Sequence, residues 1–307
     1  MGRQAAYLIP IRQGVAEAVG IRAAETLKKG RRGTVVSAFE RSVYLSLEEA
    51  GDTLVSIGCA DFPMGPINLS TTLPTFAGIK PGMPVHANGA SLLLGDKAEL
   101  HVDFAVIKAW RPLPARPWTP EAVARAMVAL QSLERDRPEA FTAVIGGGST
   151  VDDFVRRRAA AGAEAMCEWL SGKSSSDGLA QKGVEALLGL GFGLTPSGDD
   201  FLVGMLIALA ELRDHCRFAA LAQIVCAAAP GRTGRVSAAH LAAAIEGMAA
   251  EPLHRTVRAI LAGGKGLEVA LAALDAVGHS SGRDALAGAS IVFNAVASDQ
   301  GMRIVRT

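Results

Sequence analysis

Arg111-Pro-Leu-Pro-Ala-Arg-Pro-Trp-Thr-Pro120 decides how the chain divides, because four prolines in its last nine residues can neither join a central strand nor continue a helix. Short β-like runs lie before it and long helical periodicities lie after it. The reading is an α+β protein of 307 residues, with a β-rich, barrel-like or sandwich-like domain over 1–115 and a mostly α-helical domain over 116–307. The length agrees with two domains at roughly 150 residues each.

Upstream, runs rich in β-branched and apolar residues, separated by Gly, Pro and Asp, predict strands over 34–39, 42–47, 53–57, 67–70, 85–94 and 100–107. Ser42-Val-Tyr-Leu-Ser-Leu47 alternates, which places Val43, Leu45 and Leu47 on one face. Leu94-Gly-Asp-Lys97 reads as a hairpin turn. Downstream, Thr119 is placed to cap a helix that starts at Pro120 and buries Val123, Met127 and Leu130. Further helices are predicted over 151–171, 179–190, 197–213, 218–228, 237–249, 253–261, 267–277 and 281–298.

Composition removes whole classes of function. Half the residues are hydrophobic and a fifth are charged, which argues for a packed core and against disorder. Lys and Arg number 31 against 30 Asp and Glu, so no global field draws in nucleic acid or anionic lipid. Arg156, Arg157 and Arg158 read as a solvated helix face. The longest uncharged apolar stretches, 218–231 and 285–298, have 14 residues each, short of the roughly 20 a membrane helix needs. The first ten residues lack the apolar run of an export signal, so a cytoplasmic location is expected. Cys59, Cys167, Cys216 and Cys226 have no zinc-ligand spacing and read as buried free thiols.

The most informative feature is a pattern that occurs twice, 84 residues apart: Ser197-Gly-Asp-Asp-Phe-Leu-Val-Gly204 and Ser281-Gly-Arg-Asp-Ala-Leu-Ala-Gly288. Both read S-G-x-D-x-L-x-G, and each follows a helix that ends in glycine, so each marks a helix N-terminus. A capping box accounts for Ser197 with Asp200 and for Ser281 with Asp284. It leaves Gly198 and Gly282 unexplained, because glycine at a helical position implies that something approaches the main chain closely.

A helix start offers free N–H groups and a positive dipole end, so Gly191-Phe-Gly-Leu-Thr-Pro-Ser-Gly198 is a candidate cradle for a phosphate or carboxylate. Asp199 and Asp200 would repel a bare anion, which points to an Arg, an amide or a Mg2+ ion as the partner of at least one. Gly204 and Gly288 suit a close helix crossing. Among the remaining candidates, His279 is placed beside the second copy as a proton carrier, whereas His86, His101, His215, His240 and His254 have no evident partner. Arg232, Thr233 and Arg235 precede another predicted helix and are candidates to offset an anion's charge.

These residues are similar to a known bacterial family. Gly189-Leu-Gly-Phe-Gly-Leu-Thr-Pro-Ser-Gly-Asp-Asp-Phe-Leu-Val-Gly204 resembles the signature of the AllH-like family. The resemblance extends to 232–241 and 278–288, and more faintly to 37–44 and 65–69. It implies a subunit of an oxamate carbamoyltransferase, which in anaerobic allantoin catabolism interconverts oxalurate and phosphate with oxamate and carbamoyl phosphate. It also implies a hetero-complex with two other subunits, one similar to acyl-CoA synthetases, and small anionic substrates such as carbamoyl phosphate or oxamate. The family motif falls on Gly191, Gly193, Thr195, Pro196, Ser197, Gly198, Asp199 and Asp200, and its later part on Ser281, Gly282 and Asp284; Ser280 stands where many relatives are expected to carry Thr, which keeps a hydroxyl. The chain lacks the Ser-x-Arg-Thr phosphate motif of the aspartate and ornithine carbamoyltransferases.

The expected mechanism places backbone N–H groups near Ser197 and Gly198 on phosphate and Arg232 or Arg235 against its charge. Asp199, Asp200, Asp284 and His279 act as the reacting or orienting groups, with Mg2+ held by Asp199 or Asp200 as one option. On this expectation Asp199→Ala silences ligand binding and leaves the fold intact. Two other classes fit the residues: a non-catalytic subunit that binds partners or senses a metabolite, and a metal-dependent hydrolase of amide or N-glycosidic bonds.

Overall fold

The computed structural model describes residues 12–48, 53–88, 90–95, 97–101, 107–135, 153–172, 178–278 and 280–298. The chain divides into two compact units, one ending at Arg111 and one beginning at Pro112.

The first unit is a closed mixed barrel. Its strands are β1 (Arg12–Gly20), β2 (Arg32–Ala38), β3 (Ser42–Leu47), β4 (Leu54–Gly58), β5 (Asn68–Thr71), β6 (Pro84–Ala87), β7 (Ser91–Leu94) and β8 (Ala98–His101), with a helix α1 (Ile21–Lys29) after β1. The hydrogen-bonded order is β5-β4-β3-β2-β6-β7-β8-β1, and β1 returns to β5 to close the ring. A short β9 (Ala109–Trp110) lies parallel to the end of β1.

Closure depends on β1, which pairs in parallel with β8 from Arg12 to Val15 and then antiparallel with β5 through Ala16, Ala18 and Val19. A bulge between Ala16 and Ala18 accompanies the change of partner. Neither β1 nor α1 is among the predicted elements. Arg12-Gln-Gly-Val-Ala-Glu-Ala-Val-Gly20 has few β-branched residues and two interior alanines, so its strand conformation comes from pairing on both edges and not from local preference.

The alternation in β3 is as expected: Val43, Leu45 and Leu47 are fully buried. The single strand expected over 85–94 is instead the hairpin β6–β7. Its turn is made by Asn88, whose Oδ1 accepts from the N–H groups of Ala90 and Ser91 at 3.1 and 2.7 Å. The strand expected over 100–107 is β8, and 102–106 lie outside the described residues.

The second unit is helical. Its described residues form α2 (Pro120–Arg135), α3 (Asp153–Leu170), α4 (Gly178–Leu187), α5 (Ser197–Leu212), α6 (His215–Ala228), α7 (Arg235–Ala244), α8 (Glu251–Leu261), α9 (Leu267–Asp275) and α10 (Ser281–Ala297). Thr119 caps α2 through Ala122 N–H at 3.2 Å, and Val123, Met127 and Leu130 are buried, as expected. No helix among the described residues is long and apolar enough to cross a membrane. The cysteines are free, but only Cys59 is buried. Cys167 on α3 and Cys216 and Cys226 on α6 face outward, so the expectation of four buried thiols fails.

α5 is buried around almost its whole circumference, which marks it as the central helix of the unit. It lies along α10, and the contact is reciprocal. A side chain at Gly204 would overlap the carbonyl oxygen of Ala285, and one at Gly288 would overlap the carbonyl oxygen of Phe201. Gly204 and Gly288 occupy the same place in the two copies of the repeat, as do Phe201 and Ala285. The two copies of the repeat are therefore packed against each other, with both helices running in the same direction and their N-termini at one end.

The hairpins leading into the two helices are alike. Gly198 N–H donates to Leu190 O at 2.9 Å, and Gly282 N–H donates to Val277 O at 3.2 Å. Seven residues separate Leu190 from Gly198 and four separate Val277 from Gly282, so the first loop is the longer.

Glycine in α5 and α10 is a packing requirement. Gly204→Ala or Gly288→Ala should each lower stability by at least ~2 kcal/mol through overpacking, which for a unit of this size is a fall in Tm of roughly 4–8 °C. Thermal melts of the two variants check this, and an unchanged Tm would show that the helices are not in such close contact.

Candidate functional site

The two repeat copies bring their helix starts together, but not by the expected capping. Pro196 and Ser280 are the residues that precede α5 and α10, and neither end has a side-chain cap. Ser197 and Ser281 are the first helical residues, so the capping boxes expected of Ser197 with Asp200 and of Ser281 with Asp284 are not formed. The serine hydroxyls turn to the neighbouring helix instead: Ser281 Oγ lies 2.8 Å from Thr195 Oγ1, which joins the loop before α5 to the start of α10.

Gly198 and Gly282 owe their identity to the chain itself. A side chain at Gly198 would overlap Leu187 O, and one at Gly282 would overlap Leu274 O, each at the end of the preceding helix. The Gly198 N–H, expected on phosphate, is taken by Leu190 O, and the Asp199 and Asp200 N–H groups both donate to Pro196 O. What approaches the main chain here is protein.

Asp199 and Asp200 are adjacent in sequence and differ completely in surroundings. Asp199 is fully buried, and each of its oxygens has a partner. Oδ1 accepts from Gly189 N–H at 2.7 Å. Oδ2 accepts from the Ser237 hydroxyl at 2.7 Å and also from the Thr233 hydroxyl. The carboxylate thus fastens the start of α5 to the turn after α4 and to the start of α7. These donors fit a carboxylate anchor. Ser237 was not among the expected site residues; its place in 232–241 was the available signal.

Asp200 and Asp284, the acids common to both repeat copies, are also buried. Oδ2 of each has no hydrogen-bond partner. Loss of solvation drives the Asp200 carboxyl well above the usual carboxylate range. Hydrogen bonding to Ser281 opposes the shift, the Asp284 and Asp199 charges add to it, and Thr195 opposes it. Asp284 is also raised, first by burial, against hydrogen bonding to Ser197 and Ser280. Each acid therefore faces the serine that begins the other helix. Six groups meet at the helix starts: Thr195, Ser197, Asp200, Ser280, Ser281 and Asp284.

The other expected site residues are placed differently. Gly193 has φ +93°, with open space around it, in an exposed loop beside Phe192, which is 84% exposed. Arg232 is exposed, and its guanidinium donates to Glu185 O at 2.9 Å. Arg235 is the first residue of α7 and is exposed. His279 lies outside the described residues. Among the described residues, no group of three or more His, Cys, Asp and Glu side chains is arranged to hold a metal ion.

His254, for which the sequence offered no partner, sits buried beside Glu211, with Nδ1 3.1 Å from Oε1. Its Nε2 accepts from Ala249 N–H at 3.1 Å, so the proton resides on Nδ1 and is directed at Glu211. Arg258 Nε also donates to Glu211 Oε1 at 3.3 Å, and this network ties the end of α5 to α8.

A mixed barrel followed by a helical unit built on a duplicated helix hairpin, with an acid pair buried between the helix starts, defines a two-unit α+β protein. Residues 187–293 match the family described as oxamate carbamoyltransferase subunit AllH, and residues 15–108 match the AllH family N-terminal domain. The chain belongs to the AllH family. No curated protein and no solved structure matches it.

The two neighbouring aspartates should respond oppositely to removal of charge. Asp199→Asn sets an amide against three donors and should cost about 2–4 kcal/mol. Asp199→Ala, expected from the sequence to leave the fold intact, would lose the same three hydrogen bonds. For Asp200 the folded-state pKa lies above the usual 3.8, so the stability it contributes is full below 3.8 and lost as pH rises toward the folded value. Asp200→Asn should therefore raise Tm at neutral pH, and the gain should vanish toward about pH 4. Melting curves across this range check both; destabilisation by Asp200→Asn at neutral pH would contradict the assignment.

Proposed function

We propose that this chain is the AllH-type subunit of an oxamate carbamoyltransferase and that it binds a small carbamoyl-bearing substrate where α5 and α10 begin. The observation that carries this reading is the pair of buried carboxyls, Asp200 and Asp284, each with an oxygen lacking a partner and each beside hydroxyls of the opposite hairpin. Buried polar atoms are nearly always satisfied, so two orphans at one place indicate a ligand's position.

In the reaction the family name implies, a phosphate oxygen attacks the terminal ureido carbon of oxalurate. The bond from that carbon to the oxamate nitrogen breaks, the nitrogen takes up a proton, and carbamoyl phosphate and oxamate leave. Negative charge develops on the carbonyl oxygen. Two helix N-termini and the hydroxyls of Thr195, Ser197, Ser280 and Ser281 are suited to stabilise it, and little further chemistry is asked of the protein. Asp199 acts on this site by positioning α5.

A second reading, partner binding by a non-catalytic subunit, draws support from the exposed Phe192 and Leu194 on the longer loop. Turnover in the assembled multi-subunit enzyme separates the two. Replacing Thr195 and Ser281 together by Ala should lower the rate of carbamoyl phosphate formation from oxalurate and phosphate by about 100-fold or more if they stabilise the transition state. An unchanged rate in an intact assembly would favour the second reading.

A further inference from the structure

The repeat divides the site into two half-sites, each with one buried acid whose Oδ2 has no partner and two hydroxyls: Asp200 with Thr195 and Ser281, which lie 2.8 Å apart, and Asp284 with Ser197 and Ser280. Ligand and half-sites must match in hydrogen-bonding character, because an unpaired buried oxygen is costly in either protonation state. Two carboxyls close enough to sense each other's charge do not ionise independently, and the pair holds one proton most readily. Asp200 is the better place for that proton. Both neighbouring charges, Asp284 and Asp199, raise it, whereas no neighbouring charge acts in this way on Asp284.

A singly protonated pair offers one O–H donor and one carboxylate acceptor side by side. A carboxylate or phosphate presents only acceptors and would leave Asp284 repelled. A primary amide presents a carbonyl acceptor and N–H donors in one plane.

We propose that Asp200 and Asp284 together form a clamp for the primary amide of the substrate, with the Asp200 hydroxyl donating to the carbonyl oxygen and the Asp284 carboxylate accepting from the amide nitrogen. The proposal rests on the reading that the ligand sits at these helix starts, and it narrows the substrate class to molecules that carry an unsubstituted carbamoyl group. Oxalurate and carbamoyl phosphate carry it as the transferred group, and oxamate carries a primary amide of its own. The hydroxyls of the two half-sites hold the two acids in place beside it.

Oxamate and pyruvate separate the clamp from a general anion site, because they share charge and shape and differ by an amino group against a methyl group. Calorimetric titration of the full-length chain should give oxamate at least about tenfold tighter binding than pyruvate, the penalty for leaving a buried acceptor unpaired. Asp200→Asn should keep the preference, since a carboxamide N–H donates where the acid did. Asp284→Ala should reduce it to within about threefold. If Asp284→Ala does not fold, the comparison on the unaltered chain still decides. Equal affinity for oxamate and pyruvate would overturn the clamp and leave the ligand site standing. Binding of neither would overturn both, and full preference retained in folded Asp284→Ala would overturn the role of Asp284.

Discussion

The close approach of α5 and α10 through Gly204 and Gly288 is the constraint on which the helical unit depends. With a side chain at either glycine, the carbonyls of Ala285 and Phe201 could not lie where they do, and the helices would separate. Because the contact sits within the first two turns of both helices, it also forces the helix starts together. That places two aspartates out of water, where desolvation raises them although a helix N-terminus ordinarily favours a negative side chain. Packing thus accounts for the raised carboxyls.

The two copies have diverged where their roles differ. The position between glycine and acid is Asp199 in one and Arg283 in the other. Both anchor their helix to a neighbouring segment: Asp199 through the Gly189 N–H and the hydroxyls of Thr233 and Ser237, Arg283 through Asp275 at the end of α9, with Nη2 2.5 Å from Oδ2. The outer anchors carry opposite charge, while the inner acids, Asp200 and Asp284, are the same residue. On the proposed reading, stability and ligand recognition fall to neighbouring residues of one turn, and Asp199 belongs to the first task.

Much of this organisation was legible in the sequence. The proline-rich segment after Arg111, the alternation of β3 and the apolar spacing of the helices have local causes, and the helix bounds agree to within three residues except at the end of α7, which stops at Ala244 and not at 249. β1 was not legible, because its partners β5 and β8 lie far along the chain and its own residues do not favour a strand; without it, closure into a barrel could not be told from a sandwich. The repeat was legible as two helix starts that belong together. What it did not reveal is side-chain direction. Ser197 and Ser281 look like caps until Pro196 and Ser280 are seen to take that position, and Asp199 and Asp200 look equivalent until one is found among three donors and the other has an oxygen without a partner.

The central claim is that Asp200 and Asp284 are held as a buried, ligand-facing acid pair. Carbon-13 NMR of the aspartate carboxyls, titrated from about pH 3 to about pH 9 with and without oxamate, tests it most directly. The account predicts two resonances, assigned by their loss in Asp200→Asn and Asp284→Asn, that titrate above 3.8 with Asp200 the higher, and that both move when oxamate binds. Two carboxyls that titrate in the ordinary range and ignore oxamate would contradict it.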